Sequence, residues 1–264
     1  MFPARLSIVT YNLWNVQRWP EREPALRRFV TTFLPDILCV QELRKETQES
    51  LDRMLPQHAR VHDSFPGWTV QGNIYWNALH LEEVEHGAEE IGIEEEYRRL
   101  FWVRLRLRSS DAAGASGPAS APERTIFAGT AHLTHRGHKR EIEEERSLRI
   151  GQTRRAIEAL GRVVRDGEPA FFTGDWNDPY HPAKMMREAG WPNCFGELGL
   201  LAPPTSPSIT ATTKPSGWGL PSETIDWIVS NGKARAIAAL VPQCHEDGMS
   251  PSDHWPVLAV YEIE

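Results

Sequence analysis

The stretch FFTGDWNDPY, residues Phe171 to Tyr180, is an apolar run that stops abruptly in two aspartates and an asparagine. Asp, Asn and Pro are good turn formers, so a buried strand that ends in a turn explains this stretch when it is taken alone. A functional interpretation gains weight only if other strands end in residues that could share one site with Asp175 and Asn177.

Six apolar runs do end in, or begin from, a residue that can bind a metal or move a proton. The positions are Asn12, Glu42, His132, Asp175 with Asn177, Asp226, and Asp253 with His254. Turn chemistry explains any single Asp or Asn among them, but Glu and His are poor turn formers. Glu42 and His132 therefore indicate that these strand ends share a site.

The predicted elements follow one another in a mixed order. Strand-like runs are LSIVTYNLW, DILCVQEL, FWVRLRLR and RTIFAGTAHL, and TIDWIVS and WPVLAVYEI close the chain. The stretch EREPALRRFVTTFL places Leu26, Phe29, Val30 and Phe33 on one face, which predicts a helix. Two packed sheets flanked by helices suit this order better than strict βαβ alternation. No GxGxxG or GxxxxGK[ST] motif follows a strand, so nucleotide-binding folds of those kinds have no support.

Several charged residues have a structural interpretation. The alternation of apolar and basic residues in Phe101 to Arg108 predicts a strand with one solvated face. Residues Lys139 to Arg165 form the longest helical pattern, with Glu145 and Arg149 at the i, i+4 spacing of an exposed helix. We expect Arg149 and Gln152 on its charged surface, facing solvent and not the site.

Two connections also have predicted roles. Residues 109–123, SSDAAGASGPASAPE, offer almost nothing to bury, so we expect a mobile hairpin loop between two strands of one sheet. Asp178 precedes a short helix that begins near Pro182, and we expect it to act as a turn or N-cap residue and not as a ligand.

Bulk properties limit the function classes. The formal net charge of −7 over 264 residues argues against non-specific coating of nucleic acid, which requires many Lys and Arg. Cys39, Cys194 and Cys244 form no CxxC pair, which fits a reducing compartment. No secretory signal and no run long enough to span a bilayer are visible, so we expect a cytoplasmic protein, and a monomer.

The ordered set Asn12, Gln41-Glu42, AHL, GDWN, IDW and SDHWPV resembles the endonuclease/exonuclease/phosphatase superfamily, which includes deoxyribonuclease I-like nucleases. The match runs from Asn12 to Val257. The resemblance implies an α/β fold, a four-layer α/β sandwich in which two packed mixed β-sheets are flanked by helices. It implies one catalytic domain over residues 1–264, with the site at one edge between the sheets.

The resemblance also implies a divalent cation, Mg²⁺ with Mn²⁺ as a substitute. Glu42 matches the principal metal carboxylate of the family, and Asn12 and Asp253 match groups that complete or support the metal shell. Magnesium prefers oxygen ligands and keeps several waters, so one or two carboxylates and the substrate phosphate suffice.

Five further residues match catalytic positions of the family. Asp175 and Asn177 match the pair that orients or deprotonates the attacking water, with a second metal there as an alternative. Asp226 and His254 match a carboxylate–imidazole pair, and His132 matches a histidine that binds a non-bridging phosphoryl oxygen. The resemblance leaves open whether Asp175 or His254 takes the proton of the water, and the sequence shows no acidic partner for His132.

The resemblance implies hydrolysis of a phosphate ester by in-line attack of an activated water. Our leading hypothesis is a phosphodiesterase of nuclease type. The alternatives are a phosphomonoesterase acting on a sugar, inositol or nucleotide phosphate, a sphingomyelinase-like lipid phosphodiesterase and, last, an inactive binding module. Abasic-site endonucleases carry an acid where this chain has Trp14, which weakens a DNA-repair assignment. Expected partners are nucleic acid or a small phosphorylated molecule.

Overall fold

The computed structural model describes residues 4–108, 124–208 and 222–263, which form strands and helices in a mixed order. The strands are β1 (Ala4–Asn12), β2 (Ile37–Gln41), β3 (His58–Arg60), β4 (Gly72–Asn77), β5 (Leu81–Glu89), β6 (Leu100–Leu107), β7 (Thr125–Thr130), β8 (Ala170–Asp175), β9 (Asp226–Ser230), β10 (Arg235–Leu240) and β11 (Val257–Ile263). The helices are α1 (Glu23–Phe33), α2 (Lys45–Met54), α3 (Gly67–Val70), α4 (Lys139–Glu144), α5 (Leu148–Val163), α6 (His181–Glu188) and α7 (Cys194–Glu197).

The first sheet has six strands in the order β10-β11-β1-β2-β4-β3. Strand β1 pairs antiparallel with β11 on one side and parallel with β2 on the other, where Asn12 lies opposite Gln41. Because β1 and β2 are parallel, their carboxyl ends lie at the same edge of the sheet. Asn12 is therefore close to Glu42, the residue that follows Gln41.

The second sheet has five strands in the order β5-β6-β7-β8-β9. Strands β7 and β8 are parallel, and β8 pairs antiparallel with β9 so that Asp175 lies opposite Asp226. Two acids thus meet side by side where β8 ends and β9 begins. Strands β6 and β7 are antiparallel neighbours, which confirms that both belong to one sheet. Their connection, residues 109–123, lies outside the described residues.

Successive residues of the central strands point into different apolar layers. In β1, Ile8 packs between the two sheets and Val9 packs on the outer face. In β8, Phe171 packs between the sheets and Phe172 packs on the outer face. Side chains alternate between the two faces of a strand, so a strand covered on both faces is apolar throughout. This is why no polar residue interrupts the start of β8.

Helices cover the outer faces of both sheets. Phe29 of α1 and Leu51 of α2 pack on the first sheet, and Leu160 of α5 and Met186 of α6 pack on the second. All four side chains are at most 1% exposed. Burial of each contributes roughly 1.5–3 kcal/mol. The result is the expected four-layer α/β sandwich of two mixed sheets flanked by helices.

The prediction of a solvated face for β6 is wrong over most of the strand, which is buried from Leu100 to Leu105. Arg104 is 2% exposed and its Nε donates to Glu168 Oε1 at 2.7 Å. A buried guanidinium is tolerated because a carboxylate compensates its charge. The alternation of the sequence does not reveal a partner so far away along the chain.

The prediction of one continuous helix over Lys139–Arg165 is also wrong. Helix α4 ends at Glu144, the next residue Glu145 has a left-handed φ of 49°, and α5 begins at Leu148. Arg149 therefore pairs with Glu141, with Nη2 and Oε1 2.5 Å apart, and not with Glu145 as the spacing suggested.

Arg149 and Gln152 are buried, at 2% and 1% exposure, so their predicted place on a solvated surface is wrong as well. Arg149 Nη1 donates to the carbonyl of Thr134 at 2.9 Å, and Gln152 Nε2 donates to Thr134 Oγ1 at 2.8 Å. Both side chains therefore hold the segment that follows His132. In the part of the chain that the structure describes, no helix is long and apolar enough to cross a membrane.

Candidate active site

Asn12 joins the two sheets at one edge of the sandwich. Its Nδ2 donates to Glu42 Oε1 at 3.3 Å in the first sheet and to Asp175 Oδ2 at 2.9 Å in the second. Its Oδ1 accepts the backbone N–H of Trp14 at 2.9 Å. Since the amide oxygen has this backbone partner, Asn12 supports the neighbouring carboxylates through its N–H groups.

Asp175 lies at the centre of the site and is 1% exposed. The backbone N–H of Asn177 donates to Oδ1 at 2.9 Å, and Oδ2 faces two imidazoles, His132 Nε2 at 3.3 Å and His254 Nε2 at 3.8 Å. Burial raises the pKa of Asp175 to about 7, and the carboxylate of Asp226 adds to the increase while His254 opposes it.

Asp226 and His254 form a buried carboxylate–imidazole pair. Asp226 Oδ2 lies 2.8 Å from His254 Nδ1, which leaves Nε2 directed towards Asp175. Burial alone lowers the pKa of His254, but the carboxylates of Asp226 and Asp175 outweigh it and raise the pKa well above its usual value. The pair is held in the arrangement in which an acid fixes the orientation of a histidine ring.

His132 lies on the other side of Asp175, in a different electrostatic environment. Asn177 Nδ2 donates to His132 Nε2 at 3.0 Å and to the carbonyl of Leu133 at 3.0 Å. Burial lowers the pKa of His132 well below its usual value, and the charge of Arg98 lowers it further. The carboxylate that lies near this ring is that of Asp175, whose Oδ2 is 3.3 Å from Nε2.

Asp253 lies close enough to Glu42 for the two charges to act on each other. Its Oδ1 accepts a hydrogen bond from Ser252 Oγ at 3.2 Å. Burial raises the pKa of Asp253, and Glu42 raises it further while His254 opposes the increase.

The structure thus brings all eight residues singled out in the sequence to one edge of the sandwich, and it leaves Asp178 in a turn. Asp178 Oδ1 accepts the backbone N–H groups of Tyr180 and His181, each at 2.8 Å.

The donor set fits a divalent cation. Glu42 and Asp253 are carboxylates whose charges act on each other, and hard divalent cations prefer such oxygen ligands. A second group, Asp175, Asp226 and His254, places one ligand atom of each residue within 4.8 Å of the others. The Oδ1 atom of Asp226 is buried without a hydrogen-bond partner among the described residues, so this acid has coordination capacity to spare.

Sequence reasoning missed Asn15. Its Nδ2 donates to Glu42 Oε2, so the two oxygens of Glu42 each accept one asparagine amide. Asn15 lies in the loop after β1, where an asparagine reads as a turn residue, and no signal in the sequence separates it from other loop asparagines.

Left-handed backbone is concentrated around the site. Trp14, Asn15, Glu42 and Asn177 have φ values of 56°, 50°, 53° and 53°. Non-glycine residues in this region cost energy and persist where the surrounding structure holds them. At Asn15, Glu42 and Asn177 this backbone directs the side chain into the site.

Comparisons with known proteins confirm the family that the sequence resembles. A family model described as Endonuclease/Exonuclease/phosphatase family matches residues 9–254. No curated protein matches the sequence significantly.

Several solved structures share the fold over nearly the whole chain. An endonuclease/exonuclease/phosphatase family protein from Bacteroides thetaiotaomicron is 15% identical with a TM-score of 0.75, covering 100% of each chain. TDP2 of D. rerio, solved in complex with a single strand DNA product, is 15% identical with a TM-score of 0.71, covering 98% of this chain and 99% of that chain. A mannosyl-6-phosphatase from Bacteroides thetaiotaomicron is 16% identical with a TM-score of 0.71, covering 96% and 98%. At these identities the likeness shows the fold.

Proposed function

The chain belongs to the endonuclease/exonuclease/phosphatase family, and from this premise we propose that it is a divalent-metal-dependent phosphodiesterase of nuclease type. Family membership supports the coarser statement, a hydrolase of phosphate esters. One observation carries the proposal: the buried carboxylate of Asp175 lies within 4 Å of two imidazoles and shares the Asn12 amide with Glu42. This arrangement can bind a cation, an attacking water and a phosphoryl group at the same time.

Glu42 and Asp253 are the residues that would hold Mg²⁺, with Asn12 supporting Glu42. When bound, the cation would neutralise charge on the phosphoryl group and polarise its P–O bonds. Without a cation these two carboxylates repel each other, because both are negative charges that are shielded from water.

Asp175 and His254 would act together on the attacking water. Asn12 and Asn177 donate to the two different oxygens of Asp175, which fixes the orientation of this carboxylate. Asp226 occupies His254 Nδ1, so Nε2 is the atom available to the water or to a phosphoryl oxygen. Either group could receive the proton, and since they lie 3.8 Å apart we treat the pair as the proton acceptor.

His132 and Asn177 would contact the phosphoryl oxygens. Asn177 reaches His132 Nε2 through its side-chain amide, so both side chains present polar atoms on the same side of Asp175. Preorganised donors aimed at developing charge are the largest contribution to catalysis in many hydrolases.

The preference for a diester of nucleic-acid type is supported by the charges near His132. The guanidinium groups of Arg98 and Arg44 act on it, and Arg98 Nη1 also lies 3.3 Å from Glu95 Oε1. Cations beside the reacting phosphate suit a polyanionic substrate better than a lipid. The fold of TDP2 of D. rerio, which holds a single strand DNA product in its structure, is consistent with this choice.

A phosphomonoesterase is the second candidate. It is favoured by the equally close fold of the mannosyl-6-phosphatase and by the net charge of −7, which suits a small substrate.

A substrate panel with and without EDTA tests the proposal. We expect Mg²⁺-dependent hydrolysis of bis(p-nitrophenyl) phosphate and of a single-stranded oligonucleotide, no hydrolysis in EDTA, and a loss of at least about 10³-fold in Glu42→Ala or His254→Ala. The exposed Glu158→Ala on α5 is the matched control and should retain full activity. Full activity of Glu42→Ala would reject the metal assignment. Hydrolysis of a phosphomonoester alone would favour the second candidate.

A further inference from the structure

Arg22 is a fully buried arginine beside the proposed metal carboxylates. Its side chain is 0% exposed, and the hydrogen bonds of its guanidinium group go to backbone carbonyls and not to a carboxylate. Burying an unpaired charge is expensive, so such a group needs another reason to be there. Burial lowers the pKa of Arg22, while the charges of Asp253 and Glu42 act in the opposite direction.

The guanidinium group of Arg22 holds two loops together. Its Nε donates to the carbonyl of Gln17 at 2.6 Å, and its Nη2 donates to those of Trp14 at 3.4 Å and Asn15 at 3.3 Å. On the opposite side, Nη1 donates to the carbonyl of Pro251. The first loop carries Asn15, and the second leads directly to the acid at position 253.

The loop after β1, which Arg22 contacts, has a strained backbone. Trp14, Asn15 and Arg18 all have left-handed backbone, with φ of 56°, 50° and 54°. The rings of Trp14 and Trp19 also contact the guanidinium group, with centroids 5.2 and 5.5 Å from its central carbon. A strained loop persists when contacts over-determine it, and Arg22 supplies these contacts.

Asn15 transmits this arrangement to Glu42. Its backbone carbonyl accepts from Arg22 and its Nδ2 donates to Glu42 Oε2. The Oδ1 atom of Asn15 is buried and has no hydrogen-bond partner among the described residues. A buried amide oxygen beside a metal carboxylate can accept a hydrogen bond from a water molecule that is bound to the ion.

We propose that Arg22 is a positioning residue for the divalent cation, acting through Asn15 on Glu42 and through Pro251 on Asp253. It does not touch the ion. It fixes the distance between the two carboxylates by clamping the loops that carry or orient them. The proposal rests on the proposed metal dependence, and it explains why a buried arginine pays a desolvation cost at this place.

The test measures binding of Mn²⁺ alone, from the EPR signal of the free ion, to the full chain. We expect Arg22→Lys, which keeps the charge but cannot reach both loops, and Asn15→Ala each to raise the Kd for Mn²⁺ about tenfold. The double variant should be little weaker than Arg22→Lys alone, because Arg22→Lys already interrupts the path through Asn15. Asn15→Ala keeps the test available if Arg22→Lys does not fold.

Arg104→Lys is the matched control, because Arg104 is equally buried but lies away from the site. It should lower Tm without changing the Kd for Mn²⁺. An affinity in Arg22→Lys equal to or higher than that of the unmodified chain, or fully additive effects in the double variant, would overturn the proposal. If the unmodified chain itself does not bind Mn²⁺, the proposed metal dependence fails and this inference fails with it. If the unmodified chain binds Mn²⁺ and Arg22→Lys binds it equally well, only this inference fails.

Discussion

Strand β8 has a buried acid near each end, and the two acids have different surroundings. Glu168 precedes the strand and is 5% exposed; Asp175 ends it and is 1% exposed. Glu168 Oε1 accepts from Arg104 Nε at 2.7 Å and from Thr125 Oγ1 at 2.8 Å, and its Oε2 accepts the backbone N–H of Arg165 at 3.2 Å. A guanidinium group compensates this acid, and the hydrogen bonds use both oxygens.

Asp175 has no guanidinium partner, and the positive charge that acts on it is that of His254, whose Nε2 lies 3.8 Å from Oδ2. Its direct donors are the neutral amides of Asn12 and Asn177, and another acid, Asp226, lies opposite it in the sheet. Burial together with that second acid explains why the pKa of Asp175 rises to about 7. Burial by itself therefore does not identify a functional acid. A buried acid that has no guanidinium partner and lies opposite another acid is a candidate for proton transfer or metal binding.

The largest expected effect separates these two acids by activity. Asp175→Asn should lower Mg²⁺-dependent hydrolysis about 10³-fold, because the side chain can no longer act on the water. Its folding should be preserved, since removing one of two adjacent negative charges relieves repulsion. Steady-state kinetics measure the loss of activity, and urea unfolding measures whether stability is preserved. A stability loss as large as the loss expected for Glu168→Gln would break the comparison.

The next effect is on stability. Glu168→Gln removes the buried carboxylate partner of Arg104 and leaves only the partly exposed Glu85, which should lower the free energy of unfolding by about 3 kcal/mol. At temperatures where the chain remains folded, kcat should not change, because the residue lies at the other end of β8. Urea denaturation followed by fluorescence measures the first quantity. A marked fall in kcat of the folded variant would contradict a purely structural role.

The smallest effect is the stabilisation of the folded chain by a cation bound at the end of β8 that carries Asp175. Mg²⁺ at ten times its Kd should raise the free energy of unfolding by about 1.4 kcal/mol, and EDTA should reverse the increase. The increment should vanish in Glu42→Ala and persist in Glu168→Gln. Thermal unfolding of the three chains at matched Mg²⁺ concentrations provides the measurement. An equal increment in Glu42→Ala would mean that the ion binds elsewhere.

Much of the fold was predictable because the layers impose simple patterns. Strands covered on both faces appear as apolar runs, and α1 shows its apolar face at helical spacing, as Leu26, Phe29 and Val30 demonstrate. Strand β10 was missed because RAIAAL carries little β propensity and is only partly buried. The break between α4 and α5 was missed because charged residues continue the helical pattern across it.

The site was partly predictable for a different reason. Glu42 and His132 are conspicuous at strand ends because neither residue favours a turn there. Arg104 and Arg149 were assigned to the surface because a lone arginine is normally solvated, and the sequence does not show Glu168 or Thr134 beside them. Asn15 and Arg22 carried no signal, since an asparagine in a loop and an arginine before a helix are ordinary.

The sequence by itself determined which side chains stand at the ends of the strands, because local periodicity and residue chemistry are written in neighbouring positions. Only the tertiary structure decided which of these side chains meet. The pairing of Asp175 with Asp226, the reach of Asn12 across both sheets and the clamp formed by Arg22 all depend on strand register and on contacts between distant segments. Such contacts are set by the packing of the whole sandwich, so no local pattern encodes them.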